Sequence, residues 1–229
     1  MTANYKKYKT NLIYDSRESR SNYIFDKYNT LLKHSVLDVG ADAMYLKPLI
    51  QSLGSAYTGV GYGENIDHML DLETTSLPFG NNAFETVLCF DVLEHLENIH
   101  AVFDELCRIS SKTVIISLPN PIAGAFGVLR GGDYAEDQSI KFYGLPVDKP
   151  EDRHRWFFTE KESINFVTKR AQKNGFSIVQ IDSRGDDMPL GGKGVKGFIV
   201  RKLMKLVFRS DIEDLGLNHG TTWFVLQKF

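Results

Sequence analysis

The chain has 229 residues, 27 of them lysine or arginine and 29 aspartate or glutamate. The resulting net charge of −2 gives no electrostatic ground for a general nucleic-acid binder. At 42% hydrophobic and 24% charged the composition is globular, which excludes long disorder and fibrous repeats, and at about 150 residues per domain it predicts one domain spanning 1–229. Cys89 and Cys107 form no C-x-x-C pair, so neither a disulfide framework nor a metal site is expected. The start lacks the apolar core of a signal peptide, and no run approaches the roughly 18 apolar residues of a membrane span, so the expected compartment is the cytoplasm.

In chain order, Val36-Leu37-Asp38-Val39-Gly40 reads as a buried strand ending in a turn. Leu46, Leu49, Ile50 and Leu53 predict a helix, with Pro48 in its first turn and Gly54 closing it. Tyr57–Val60 is a second strand, and residues 65–72 hold a short third one ending near Asp71. Phe84–Phe90 is a strong strand, after which Val92, Leu96, Ile99, Phe103 and Leu106 step as one buried helical face. Val114–Leu118 is a further strand, stopped by Pro119. Residues 119–158, rich in proline, glycine and aromatics, read as a long functional lid. Thr159 and Glu162 form a capping box opening a helix. Phe176–Ile181 and Thr221–Leu226 are the last strands, separated by an insertion over 183–220 and lacking a crossover helix, so an antiparallel return is expected.

Alternating strands and helices predict an α/β fold, a seven-stranded, mostly parallel sheet with helices on both faces and the last strand antiparallel. Ligands of such sheets bind at the carboxyl ends of strands. That rule points to Asp38–Gly40, Gly61–Glu64, Asp71, Asp91 and Pro119-Asn120.

The motifs at these strand ends resemble those of class I S-adenosylmethionine-dependent methyltransferases of the type 11 sort. Val36-Leu37-Asp38-Val39-Gly40 resembles the first motif of that family, and Asp71-Leu72 with Leu77-Pro78-Phe79 resembles its acidic turn. Asp91-Val92-Leu93-Glu94-His95-Leu96 matches its D-V-L-E-H-L signature. The resemblance covers residues 35–120 well and implies the Rossmann-like methyltransferase fold, with those residues as the cofactor-binding core. It also implies S-adenosylmethionine as cofactor and methyl transfer to a small-molecule or glycan-type acceptor. Asp38, Gly40, Glu64, Asp71, Leu72, Asp91, Val92 and Leu93 are then the candidate cofactor contacts. Asp71 and the backbone of Leu72 suit the adenine, and Asp91 and Leu93 the cofactor's other side. His95 and His154 are the candidate bases for a hydroxyl acceptor. The lid, by the same resemblance, shapes the acceptor pocket, with Tyr143, Arg155 and Trp156 as substrate contacts.

Other readings of these residues stay open. Asp38 can tie a loop, Asp71 can be a turn residue, and a lone histidine such as His95 is more often structural. The family's G-x-G-x-G turn reads Gly40-Ala41-Asp42-Ala43-Met44 here, and Gly61 stands where an acid for the ribose is expected, with Glu64 or Asp67 as substitutes if the loop folds back. If the Asp42 and Met44 side chains fill the cofactor hollow, the chain is a non-catalytic domain that binds a partner or ligand. A nucleotide-dependent oxidoreductase is disfavoured by the absence of G-x-G-x-x-G. Finally, residues 193–209 carry six cations and no acid among apolar residues. They predict a helix that packs on the core with a solvated basic face or, less favoured, lies on an anionic membrane surface.

Overall fold

The computed structural model describes residues 6–10, 16–63, 65–74, 76–125, 153–184, 194–208 and 220–229. The strands are β1 (Lys6–Thr10), β2 (Ser35–Val39), β3 (Ala56–Gly61), β4 (His68–Met69), β5 (Phe84–Phe90), β6 (Ser110–Pro119), β7 (Phe176–Arg184) and β8 (Thr221–Lys228). The helices are α1 (Arg17–Tyr28), α2 (Leu46–Ser52), α3 (Ile99–Ile109), α4 (Glu160–Lys173) and α5 (Val195–Phe208).

All eight strands share one sheet in the order β1-β7-β8-β6-β5-β2-β3-β4. The expected seven are β2 to β8, and β8 runs antiparallel to both of its neighbours, β6 and β7, as expected. The eighth, β1, adds a parallel edge beside β7 that the sequence reading did not anticipate. The chain moves outward from β2 through β3 to β4, then returns to β5 on the other side of β2. The connections leaving β2 and β5 therefore run to opposite sides, which places a crevice at the topological switch point.

Alternation along the strands sends side chains to two cores. Val36, Leu88, Ile115, Trp223 and Val225 pack under α1 and α2, while Leu37, Val87, Cys89, Ile116 and Phe224 pack under α3 and α4. Trp223 anchors the first core, with the rings of Phe90 and Tyr23 at 5.0 and 5.5 Å. Both cysteines are buried and unbonded, and burial pushes the Cys107 thiol up to about 12, so neither is a nucleophile at neutral pH.

Helix α4 starts as its sequence predicts: the Thr159 hydroxyl accepts from the Glu162 N–H at 3.1 Å, and the Glu162 carboxylate accepts from the Thr159 N–H at 2.8 Å. Three other expectations are corrected. The stretch 65–72 contributes only the two residues of β4. The helix expected from Val92 begins at Ile99, after a 3-10 turn at Leu93–His95. That interruption has a cause, since the Asn98 amide donates to the Leu72 carbonyl at 2.9 Å and ties the segment to the loop after β4. The basic stretch does form a helix, α5, but Val195, Phe198, Leu203, Leu206 and Val207 are each more than half exposed. These five side chains therefore face solvent instead of packing on the core, while Val200 and Met204 are half-buried. No described helix is long and apolar enough to cross a membrane.

Candidate active site

A hollow of about 540 Å³ lies over the carboxyl ends of β2, β3 and β5. Gly40, Asp71, Leu72, Asp91, Val92 and His95, all singled out in the sequence, line it together. Gly40 is what lets the two halves meet. Its φ is +87°, and a Cβ there would lie 2.1 Å from Val92 Cγ2. Only a residue without a side chain allows the turn after β2 to touch the turn after β5. The Gly40 and Ala41 N–H groups both donate to the Val60 carbonyl, at 2.7 and 3.1 Å, which stitches the turn to β3.

The altered residues of the turn do not fill the hollow. Met44, at φ +54°, sends its side chain onto β3. Its sulfur takes the space left by the missing side chain of Gly59, where a Cβ would lie 2.4 Å from it. Asp42 sits at the rim in an ion pair with Arg17. Gly61 has a packing reason of its own, because a Cβ there would press within 3.3 Å of the Gly40 Cα. Asp67 does fold back, but onto the Gly59 N–H at 2.9 Å and the Lys47 ammonium at 2.6 Å, and it does not line the hollow. Glu64 and Tyr143 lie outside the described residues.

The acids are held differently. Asp71 is half-buried and accepts from the Glu73 N–H at 2.9 Å and from the Tyr62 hydroxyl, and these bonds hold its carboxyl below the ordinary range. Asp91 adopts a left-handed φ of +53°; one carboxylate oxygen accepts from the Ser117 hydroxyl at 2.7 Å and the other meets Arg20 at 2.5 Å. Asp38 is buried below the turn, bonded to the Tyr57 hydroxyl at 2.7 Å, and reaches a narrow cleft beside Arg20 but not the hollow. Burial pushes its carboxyl up to about 6, against the opposing pull of Tyr57 and Arg20. Leu93, expected as a cofactor contact, is fully buried in the sheet core and turned away from the hollow.

The far wall comes from a segment distant in sequence. The Arg155 N–H donates to the Glu94 carbonyl at 2.8 Å, Arg155 Nε to the His95 carbonyl at 3.0 Å, and Trp156 Nε1 to the Leu96 carbonyl at 2.7 Å. These bonds set His154 edge-on to His95, with ring centroids 4.6 Å apart. Arg155 lines the hollow, whereas Trp156 faces the other way into an apolar cavity of about 160 Å³ between α3 and α4. The structure thus separates Arg155 from Trp156, two of the three substrate contacts expected from sequence. It also adds Arg17, Arg20, Tyr62 and Arg153. The two α1 arginines had a legible signal: Ser16 followed by Arg17, Arg20 and Ile24 at helical spacing puts both cations on the buried-face side of a capped helix.

A family model described as a methyltransferase domain matches residues 16–181. No curated protein matches the chain. Among solved structures, the chain is similar to a SAM-dependent methyltransferase from Archaeoglobus fulgidus, at 14% identity and a TM-score of 0.60, covering 93% of this chain and 95% of that one. It is also similar to the magnesium protoporphyrin IX methyltransferase of Synechocystis with bound SAH, at 16% identity and TM-score 0.53, covering 93% and 83%. A third similarity is to a SAM-dependent methyltransferase from Methanosarcina mazei, at 13% identity and TM-score 0.54, covering 89% and 97%. These likenesses establish a common fold.

Two outcomes follow from the geometry. Gly40→Ala is expected to lower stability by about 2–4 kcal/mol through left-handed strain and overpacking, and adding Val92→Ala should recover the packing part, as read by urea denaturation. Asp38, with its folded pKa raised from 3.8 to about 6, binds its proton more tightly in the fold, so its contribution is full below pH 4 and lost as pH rises through 6. The unfolding free energy of wild type relative to Asp38→Asn should therefore fall by about 3 kcal/mol between pH 4 and pH 7. A flat difference across that window would show that Asp38 does not titrate this way.

Proposed function

The chain belongs to the methyltransferase domain family, and from that premise we propose that it transfers a methyl group from S-adenosylmethionine to a small-molecule or glycan-type acceptor. The observation that carries this reading is that the hollow is open: Met44 lies on Gly59 and Asp42 is held at the rim by Arg17. Its volume of about 540 Å³ suits a nucleoside-sized ligand, as ligand sites run roughly 300–1,000 Å³. Its charges suit the same ligand: Asp71, Glu73 and Asp91 complement cationic groups, and Arg17 and Arg153 complement a carboxylate.

When bound, S-adenosylmethionine supplies an electrophilic methyl on a sulfonium. The residues of the chain do the rest. Asp71, held ionised by Glu73 and Tyr62, accepts the adenine amino group beside the backbone of Leu72. The Gly40 turn offers close backbone approach, and Val92 and Asp91 form the wall beyond it. Asp38 acts from beneath, fixing the turn through Tyr57. On the acceptor side, Arg155 faces an anionic or hydroxylated group. A hydroxyl acceptor must lose its proton, and His95, with His154 behind it, is placed to promote that loss. Alignment in a water-poor pocket accounts for most of what such a transfer requires.

Calorimetric titration with S-adenosylmethionine should show one site, weakened at least about tenfold by Asp71→Ala, which removes a charge-assisted hydrogen bond. Absence of binding at millimolar cofactor by folded wild type would leave the non-catalytic, ligand-binding alternative. Helix α5 adds a surface contact to the proposal, since its exposed Phe198, Leu203 and Leu206 stand among Lys202 and Lys205 and suit an anionic membrane surface. The protein should sediment with phosphatidylserine-containing vesicles and not with neutral ones, and Lys202→Glu with Lys205→Glu should abolish the difference.

A further inference from the structure

One cluster in the site is built for more than proton transfer. Glu94 is 1% exposed, and its Oε1 faces His95 Nε2 at 3.7 Å and His154 Nε2 at 4.0 Å. One donor atom from each of the three residues lies within 4.8 Å of the others. We propose that Glu94, His95 and His154 bind a divalent transition-metal ion in the wall of the hollow, leaving open positions for an oxygen of the acceptor.

The donor set is chemically apt. Two imidazoles and one carboxylate suit zinc, manganese, iron or cobalt in the divalent state. Ligands about 2.0–2.2 Å from one ion stand roughly 3–3.4 Å apart, so the two Glu–His separations must close by a few tenths of an ångström up to about one ångström, and the His–His pair, within 4.8 Å, by at most about two. The supporting frame is already rigid. Glu94 and His95 sit in the 3-10 turn, and the hydrogen bonds from Arg155 and Trp156 to the carbonyls of Glu94, His95 and Leu96 clamp the segment carrying His154 against that turn. His95 also borders the hollow, which gives the ion an open side. The sequence reading expected no metal because it looked for cysteine pairs; the histidine that completes this set is 59 residues beyond its partner and joins it only through the fold.

The role for the acceptor rests on the methyl-transfer reading, whereas the ion site stands on its own geometry. An acceptor hydroxyl on the ion is acidified and releases its proton to solvent. The oxygen lone pair then forms the O–C bond as the sulfonium C–S bond breaks, leaving a neutral thioether.

The test uses the full chain, stripped of metal by chelation, without cofactor. Titration with zinc should show one ion per chain by calorimetry, and cobalt should develop visible d–d absorption. His95→Ala and His154→Ala should each weaken binding by more than about 100-fold, beyond the loss of an outer partner, while His34→Ala, at an exposed site elsewhere, leaves it unchanged. If either variant fails to fold by circular dichroism, the glutamine variant at that position is read instead. No stoichiometric binding, or binding equal in wild type and the two variants, overturns the site. Cofactor binding is titrated separately: cofactor bound without ion overturns this inference alone, and ion bound without cofactor supports the site while removing its acceptor role.

Discussion

The contact between Gly40 and Val92 is the constraint on which the site depends. A sheet whose strand order reverses between the parallel neighbours β2 and β5 leaves two turns facing each other at the switch point. Here they touch, backbone against isopropyl group, with no room for even a methyl on Gly40. That approach brings Asp91 and His95 to one hollow with Asp71 and Leu72. The other glycines nearby serve the same compaction: Gly59 yields its volume to Met44, and Gly61 lets the loop after β3 lie on the turn.

The electrostatics are organised from beneath by helix α1. Arg20 pairs with Asp91 and also pulls on the buried Asp38, so one guanidinium serves acids at the ends of two neighbouring strands. Arg17, one turn earlier, restrains Asp42. A carboxylate at position 42 could have spoiled the place where a ligand carboxylate comes close; the pairing neutralises it and keeps it at the rim. Asp38, by contrast, is governed by desolvation, which outweighs both of its favourable partners.

The sheet was largely legible from sequence, because β2, β3, β5 and β6 are short apolar runs bounded by glycine, proline or aspartate, and the Thr159–Glu162 box announces α4 without tertiary help. What failed did so for identifiable reasons. Val92, Leu96 and Ile99 have helical spacing, yet Asn98 breaks the segment through bonds to a loop 25 residues away, which no local pattern encodes. All four of Asp71, Leu72, Asp91 and His95 line the hollow; the first and third were legible from a strand-end rule, Leu72 and His95 from the family signature. The placement of Met44 stayed open because its compensating vacancy, Gly59, lies on another strand. Leu93 and Trp156 have the right address but the wrong direction, and side-chain direction in irregular turns is a tertiary outcome. Helix α5 has an apolar face that the fold leaves bare.

The stretch between β6 and α4 is moored at both ends. Asn120 binds the Gly220 carbonyl through its N–H and accepts from the Ile122 and Ala123 N–H groups, while Arg155 and Trp156 are tied to the turn after β5. Those bonds set where the chain leaves β6 and where it rejoins the wall of the hollow, so the exit from the sheet and the course of the site wall are fixed independently of each other.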